Sequence, residues 1–531
     1  MKRLLLLIPA SLASLLVWTL AQPAPPPMAS LFPSGALLYL EAKDFNALLA
    51  DWNSSPEKKD WLASANYDEF AHSQLFLKLS DAQTQFATAA GIPPDDALLS
   101  SVAGANSAVA MYDIGKLEFL YVTRLASARA VNTALWKLRG SYQTRHAGSA
   151  DYFIKEDKAS HRVAAFALTG DTLLLATRED LLAGALRILA GESLPSVASE
   201  PWFRDATQAA SAGPNDLRLV YNMASLARTF QFRSHWIQSN VPDLRQFSAG
   251  LADLERTRGE LRERRVLLRA APVASMEGDE ALTGRLLAAI PNDSGLYRAW
   301  LHPSTDQAAQ QIADKLFPNA TASGPRSTNA PMVLETQNAG SDADLETRID
   351  EKPFSDAQDP VQPLRERLSA MKLDAMLEVS STKLDANQVY VQPHAVIVLL
   401  ASTPWDANAI RAALGTAADG LGKIAVASDG KWLALGDIAE LTNTVFALRN
   451  RTAVAGAAYA AGWHHARELP NFERMTRLID FPQAQPGAGP PYFSANLASL
   501  GLTLKRIDTA SVVVHDSGAM LRESLVYKIT P

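Results

Sequence analysis

Apolar positions along this chain follow two rhythms. Short runs such as Phe119-Leu120-Tyr121-Val122 and Val396-Ile397-Val398-Leu399-Leu400 have the length and composition of buried strands. The stretches after them place apolar residues every three or four positions, which predicts amphipathic helices. Phe119–Val122 leads to a helix expected over about 127–138, with Val131, Leu135 and Leu138 on one face. Val396–Leu400 leads to Thr403-Pro404, a good N-cap followed by the proline that suits a first helical position, and then to Ile410 and Leu414. Leu296–Trp300 leads to Ser304, with Gln307 at capping-box spacing and Ile312 and Leu316 beyond.

A second arrangement adds a tight turn. Gly170-Asp171 opens the strand Thr172–Thr177, followed by Leu181, Ala185 and Ile188. Gly430-Lys431 opens Trp432–Asp437, followed by Leu441, Val445 and Leu448, with Asp437 and Glu440 at cap spacing. The two arrangements come in the same order in each half, β–α and then β–β–α. We therefore expect an α+β fold of duplicated modules. Turns such as Asp113-Ile114-Gly115 join strands without a helix, so the sheet is expected to be mostly antiparallel and covered on one face by amphipathic helices.

Breaks in the pattern set the expected boundaries. Residues 34–200 form a first module, 201–318 a middle part of the α+β body, and 364–531 a C-terminal module. Between the last two, 319–363 is rich in Ser, Thr, Asn, Gly and Pro and carries Asp342, Asp344, Glu346, Asp350, Glu351, Asp356 and Asp359. It has too little apolar material to offset the entropy of ordering and is expected to be an acidic flexible linker or loop. A second connection, Gln483 to Pro491, is rich in Pro and Gly.

Three stretches carry a resemblance. They are Gly35-Ala36-Leu37-Leu38-Tyr39-Leu40, the segment from Gly170 to Leu189, and Pro201-Trp202-Phe203-Arg204 followed by Leu217-Arg218-Leu219-Val220-Tyr221. Over about residues 30–300 this order resembles a bacterial exported family known only as a domain of unknown function. The resemblance implies an exported, envelope-facing protein with duplicated α+β modules. It implies no catalytic residues.

The first residues point the same way. Lys2 and Arg3 precede an apolar run from Leu4 to Ala21, and Gln22-Pro23-Ala24-Pro25-Pro26-Pro27 ends it. This is the pattern of an export signal over 1–21, with Thr19 and Ala21 as the small pair before the cut. The run is also close to the length that spans a bilayer, so an uncleaved anchor is the competing reading. Residues 22–33 are expected to be a Pro-rich spacer. Either way the remainder is periplasmic or extracellular.

Composition narrows the partners. The net charge is −6 at pH 7, and losing Lys2 and Arg3 makes it more negative still. No basic footprint for nucleic acid is present. Membrane contact is expected only through the N-terminal segment, if it is uncleaved. There is no cysteine, which excludes disulfides, thiolate catalysis, cysteine–zinc sites and iron–sulfur clusters. An exported chain without disulfides must rest on its core.

Catalytic chemistry is hard to find. No G-x-S-x-G elbow, P-loop or dinucleotide glycine pattern occurs, and Gly487-Ala488-Gly489 lies between prolines. His515-Asp516-Ser517 has triad residue types, but strand neighbours point to opposite faces, so a plain turn is expected. His464-His465 with Glu468 is the one tight ligand cluster; lacking a third ligand, it is expected to be a solvated helix start. The run from Arg256 to Arg269 is interleaved with Glu260 and Glu263 and is expected to be a charged surface. Phe230, Phe232, His235 and Trp236 are expected to pack in the core rather than to stack on sugar or lipid. No catalytic, cofactor-binding or metal-binding residue is assigned, and no cofactor. The first functional expectation is a non-enzymatic scaffold or interaction protein of the bacterial envelope, with an unknown envelope protein as partner. The alternative is an exported carrier of an apolar or small-molecule ligand, marked by a large apolar pocket without converging titratable groups. An exported hydrolase without a recognisable motif comes third.

Overall fold

The computed structural model describes residues 27–530 apart from 95–96, 211–212, 214, 231–243, 318–360, 385–390, 418–422 and 481–503. Helices and strands are both abundant and every described strand pair is antiparallel, so the class is mixed α+β. The chain divides into two units. The first comprises Met1–Lys59, Asp68–Glu255 and Arg265–Ala271; the second comprises Asp60–Tyr67, Arg256–Arg264 and Pro272–Pro531.

In the first unit the strands are β1 (Leu38–Ala42), β2 (Ser107–Asp113), β3 (Glu118–Arg124), β4 (Gln143–Ala147), β5 (Ala150–Glu156), β6 (Val163–Thr169), β7 (Thr172–Ala176), β8 (Leu217–Tyr221) and β9 (Phe247–Thr257). They pair in the order β4-β5-β6-β7-β3-β2-β1-β8-β9. Strand β10 (Glu260–Arg269) is divided between the units.

Alternation along the strands sends side chains into two layers. Ala108, Ala110, Leu120, Val122, Leu174 and Ala176 face one core. That core is closed by the helix Glu179–Leu189, the helix Pro201–Ala209 and Met28, Leu31 and Phe32. Tyr39 lies at its centre, edge-on to Phe32 at 5.4 Å and to Phe203 at 5.3 Å. Each such buried aromatic contributes roughly 1.5–3 kcal/mol by removal from water. The opposite face, with Leu173, Leu175 and Phe166, packs on Ala87, Ala90, Ile92, Val102 and Leu135. The sheet is therefore covered on both faces, not on one as the hairpin pattern led us to expect. The reason is that β3 and β7 each carry four consecutive apolar residues, Phe119–Val122 and Leu173–Ala176, which fill both faces of the sheet.

In the second unit the strands are β11 (Leu296–Leu301), β12 (Leu373–Leu384), β13 (Val391–Ala401), β14 (Ala425–Asp429), β15 (Trp432–Gly436), β16 (Tyr459–Trp463), β17 (Ile507–Asp516) and β18 (Met520–Ile529). Their order is β14-β15-β13-β12-β11-β16-β17-β18. Read from β6, the first unit runs β6-β7-β3-β2-β1-β8-β9, and the same chain order of strands recurs from β14 to β17. Both faces again carry buried clusters. One gathers Ile397, Leu399, Leu433 and Leu435 under the helices Thr305–Leu316, Gln362–Ser369 and Ala407–Leu414. The other gathers Val396, Val398 and Ala434 under Leu286 and Val445.

Several local expectations change. The middle part, 201–318, is split: β8 pairs with β1 in the first unit, while β11 pairs with β12 in the second. The spacer 22–33 is not extended throughout, because Met28–Leu31 forms a buried 3-10 turn. Most of the acidic segment 319–363 lies outside the described residues, but Val361 is buried and a helix begins at Gln362. The expected helix over 127–138 is two short ones, Ser127–Ala130 and Ala134–Lys137, since the Thr133 side chain caps a new start; only Leu135 of the expected face is buried. Asp406, not Thr403, caps Ala407–Leu414, accepting from the N–H groups of Asn408 and Ala409. Asp437 caps no helix, because its carboxylate is taken by the Ala395 N–H at 2.9 Å and by His394 at 2.7 Å. Ser304 does accept from the Gln307 N–H at 3.0 Å, as a cap should.

Candidate functional site

The feature with the clearest capacity for function is a cavity of about 500 Å³ in the first unit. Its floor is the second face of the sheet. Val109 and Met111 of β2, Phe119 and Tyr121 of β3, and Leu175 of β7 alternate onto it, with Thr177 just past the strand. One wall is the helix Gln74–Ala90, which contributes Leu79, Ala82, Gln83, Phe86 and Ala87 at helical spacing.

Local chemistry shapes that wall. The Ser73 hydroxyl accepts from the Phe76 N–H at 3.2 Å and starts the helix. Gly91 ends it in the left-handed region at φ 73°, where the chain reverses with Ile92 N–H bonded to the Ala87 carbonyl at 2.9 Å. The reversal brings Ile92-Pro93-Pro94 to the cavity rim, followed by Leu98, Leu99 and Val102. Leu117 closes part of the rim from the β2–β3 turn in a left-handed conformation, φ 53°, that a leucine seldom adopts.

Polar groups in the lining are mostly occupied. The Tyr121 hydroxyl donates to the Val102 carbonyl at 3.0 Å and lies 3.1 Å from the Ser107 hydroxyl. Burial holds its pKa above the ordinary tyrosine value. Thr177 Oγ1 accepts from the Phe119 N–H at 2.9 Å. Among the described residues no carboxylate or imidazole lines the cavity. Leu79 and Leu99, both lining it, are nearly half exposed, so the apolar lining reaches the surface. A space of this size, apolar and with few polar groups, suits a small apolar ligand.

The residues singled out in the sequence lie elsewhere. His515 and Asp516 are the last two residues of β17, paired with Arg522 and Leu521, and only Ser517 stands in the turn to β18, where Asp516 accepts from the Gly518 N–H at 2.8 Å. His515 Nδ1 sits 2.9 Å from Glu280. The residues Arg256 to Arg269 form the end of β9, a turn and β10, and Arg262 pairs with Glu260 at 2.6 Å. Phe230 is 70% exposed rather than core; Phe232, His235 and Trp236 lie outside the described residues, as does Gly487-Ala488-Gly489.

The start at His464-His465 is only partly solvated, with the His464 side chain 36% exposed. His465 and Glu468 are buried at the head of the helix His465–Asp480, and Glu468 accepts from the N–H and hydroxyl of Thr382 at 3.1 and 2.6 Å. Strand β12 covers this turn of helix, which no local pattern shows. No group of three His, Asp or Glu disposed to hold a metal occurs among the described residues.

His465 has a consequence for pH. Its Nδ1 accepts from the Trp463 indole N–H at 3.0 Å, and burial pulls its pKa below the ordinary 6.5, with Glu473 opposing more weakly. The folded state thus keeps the ring neutral where the unfolded chain protonates it. This contribution to stability is fully present above about pH 6.5 and is lost as pH falls below it. We expect the urea midpoint of the second unit to drop between about pH 7.5 and about pH 5.5. His465→Gln should flatten that drop, and an equal drop in both proteins would exclude His465 as its source.

Comparison with known proteins adds little. No family model matches the chain, and no curated protein matches it. Among solved structures, crystal form III of TP0453 is 11% identical, covering 49% of this chain and 87% of that one, with a TM-score of 0.25. Crystal form I of TP0453 is 13% identical, covering 47% and 82%, with a TM-score of 0.28. At these scores the likeness carries no argument about function.

Proposed function

We propose that this chain is an exported, non-enzymatic carrier that holds an apolar ligand in the cavity between the helix Gln74–Ala90 and the sheet. One observation carries the reading: a 500 Å³ space lined by leucine, phenylalanine, isoleucine, proline and methionine side chains, with no carboxylate or imidazole among the described residues that line it. Closing such a space over apolar surface stabilises the complex by roughly 25 cal/mol per Å² removed from water. The N-terminal pattern of residues 1–21 supports a location for the carrier in the bacterial envelope, free or anchored. A scaffolding role needs no cavity, so the carrier reading takes precedence over it.

The duplicated-module reading belongs to the same proposal. It is supported by the recurring strand order and by matching register: Leu120 faces Ala176 and Val122 faces Leu174 in one unit, as Val396 faces Gly436 and Val398 faces Ala434 in the other. Gly170 and Gly430 turn at φ 54° and 55° at the matching position. On this reading the second copy packs Ile312, Leu364 and Trp405 onto the face that bears the cavity in the first.

Equilibrium titration with Nile red, a neutral apolar dye, tests the carrier. The expected result is saturable fluorescence enhancement at one dye per chain. Absence of saturable binding contradicts the proposal.

A further inference from the structure

Among the described residues one cationic side chain lines the cavity, Arg162. Its surroundings are unusual for an arginine beside an apolar space. Nε donates to the Gln85 side-chain carbonyl at 2.8 Å, and Nη1 donates to the backbone carbonyl of Lys116. Both acceptors are neutral. Gln85 is itself held, since its amide donates to Asp81 at 2.7 Å. The guanidinium is thus oriented from two sides, yet no ion pair to it occurs among the described residues.

The acids close in sequence to Arg162 or to its acceptor Lys116 are engaged elsewhere. Glu118 pairs with Arg178 at 3.0 Å and Glu156 with His161 at 3.3 Å. Asp157 accepts from the N–H and hydroxyl of Ser160 at 2.8 and 2.6 Å. A guanidinium held by neutral acceptors keeps its full charge available, and its fork matches a carboxylate or a phosphate. The cavity therefore combines an apolar body with a single fixed positive group.

On the carrier reading proposed above, the geometry points to an anionic amphiphile as ligand: an apolar tail among Phe86, Leu99, Phe119 and Leu175, and an acidic head group on Arg162. Charge complementarity selects this class over neutral lipids. Carboxylate and phosphate heads share the required chemistry, and the experiment separates them.

The test is displacement of Nile red from the full exported chain by decanoate, decyl phosphate and decanol, which share one tail. Decanoate or decyl phosphate should bind about ten- to a hundredfold more tightly than decanol, the range of a charge-assisted hydrogen bond. The tighter of the two acids identifies the head group. Arg162→Gln should bring both acids to the level of decanol and leave decanol unchanged, while Arg162→Lys should restore part of the difference. Decanol binding in the variant reports that the cavity is intact. Equal affinity for decanol and both acids in the native chain overturns the head-group assignment. So does Arg162→Gln weakening all three alike, which would make the arginine only a brace between Gln85 and Lys116. Failure of the native chain to bind Nile red at all overturns the carrier reading itself.

Discussion

Replacing Arg218 with Met lowers the stability of the first unit by about 3–5 kcal/mol. Arg218 on β8 lies directly opposite Asp253 on β9. Its Nε and Nη2 each reach an oxygen of that carboxylate at 2.7 Å, a bidentate pair. Asp253 is 1% exposed, and Asn215 supplies a third bond at 2.7 Å. Burying a carboxylate is costly, and the guanidinium is what makes it tolerable. Met keeps the apolar stem and deletes the charge, leaving Asp253 in the sheet with one amide donor. The double variant Arg218→Met with Asp253→Leu removes both charges and should be much the milder of the two. Urea unfolding followed by tryptophan fluorescence decides it. A loss below about 1 kcal/mol for the single variant, the range of an exposed pair, contradicts the argument.

Val109→Trp weakens binding of apolar ligands by at least about tenfold, or roughly 1.4 kcal/mol. Val109 sits in mid-strand on β2, opposite Leu40 on one side and Tyr121 on the other. Its side chain faces the cavity, while those of its neighbours Ala108 and Ala110 face the other core. An indole there occupies the space a ligand needs. Overpacking a filled core costs about 1–3 kcal/mol, but this side chain enters open volume, so the cost falls at the low end. Val131→Trp is the control, because Val131 is exposed and lies outside the lining. Nile red titration of both variants is the measurement. Loss in both, or in neither, shows that the cavity is not the binding site.

Strands such as β7 and β15 could be read from the sequence because they are short, apolar at nearly every position and entered from a glycine turn. The segments from Gly170 to Ala176 and from Gly430 to Gly436 are examples, and their partners β3 and β13 were visible for the same reason. Caps were less legible. A cap is decided by which acceptor reaches the free N–H groups first, and Asp406 stands three residues past Thr403. Asp437 is drawn away by β13, a tertiary competitor that no local window contains.

The cavity itself was not legible. Its lining comes from Phe45, the span from Leu79 to Val102, the span from Val109 to Tyr121, Arg162 and Leu175, which only the fold brings together. One local signal was present. Leu77 and Leu79 are both apolar and both exposed, so the apolar residues of the helix Gln74–Ala90 exceed the one face a core needs. The burial of His465 and Glu468 had no local signal, because Thr382 lies far back along the chain.

The cavity is proposed to carry an apolar ligand. Native mass spectrometry of the full chain, expressed with its own N-terminal segment and purified without detergent, is the deciding measurement. The account predicts one small apolar, acidic adduct per chain, absent from Val109→Trp prepared in the same way. A bare native chain that also takes up no decanoate when it is supplied would contradict the account.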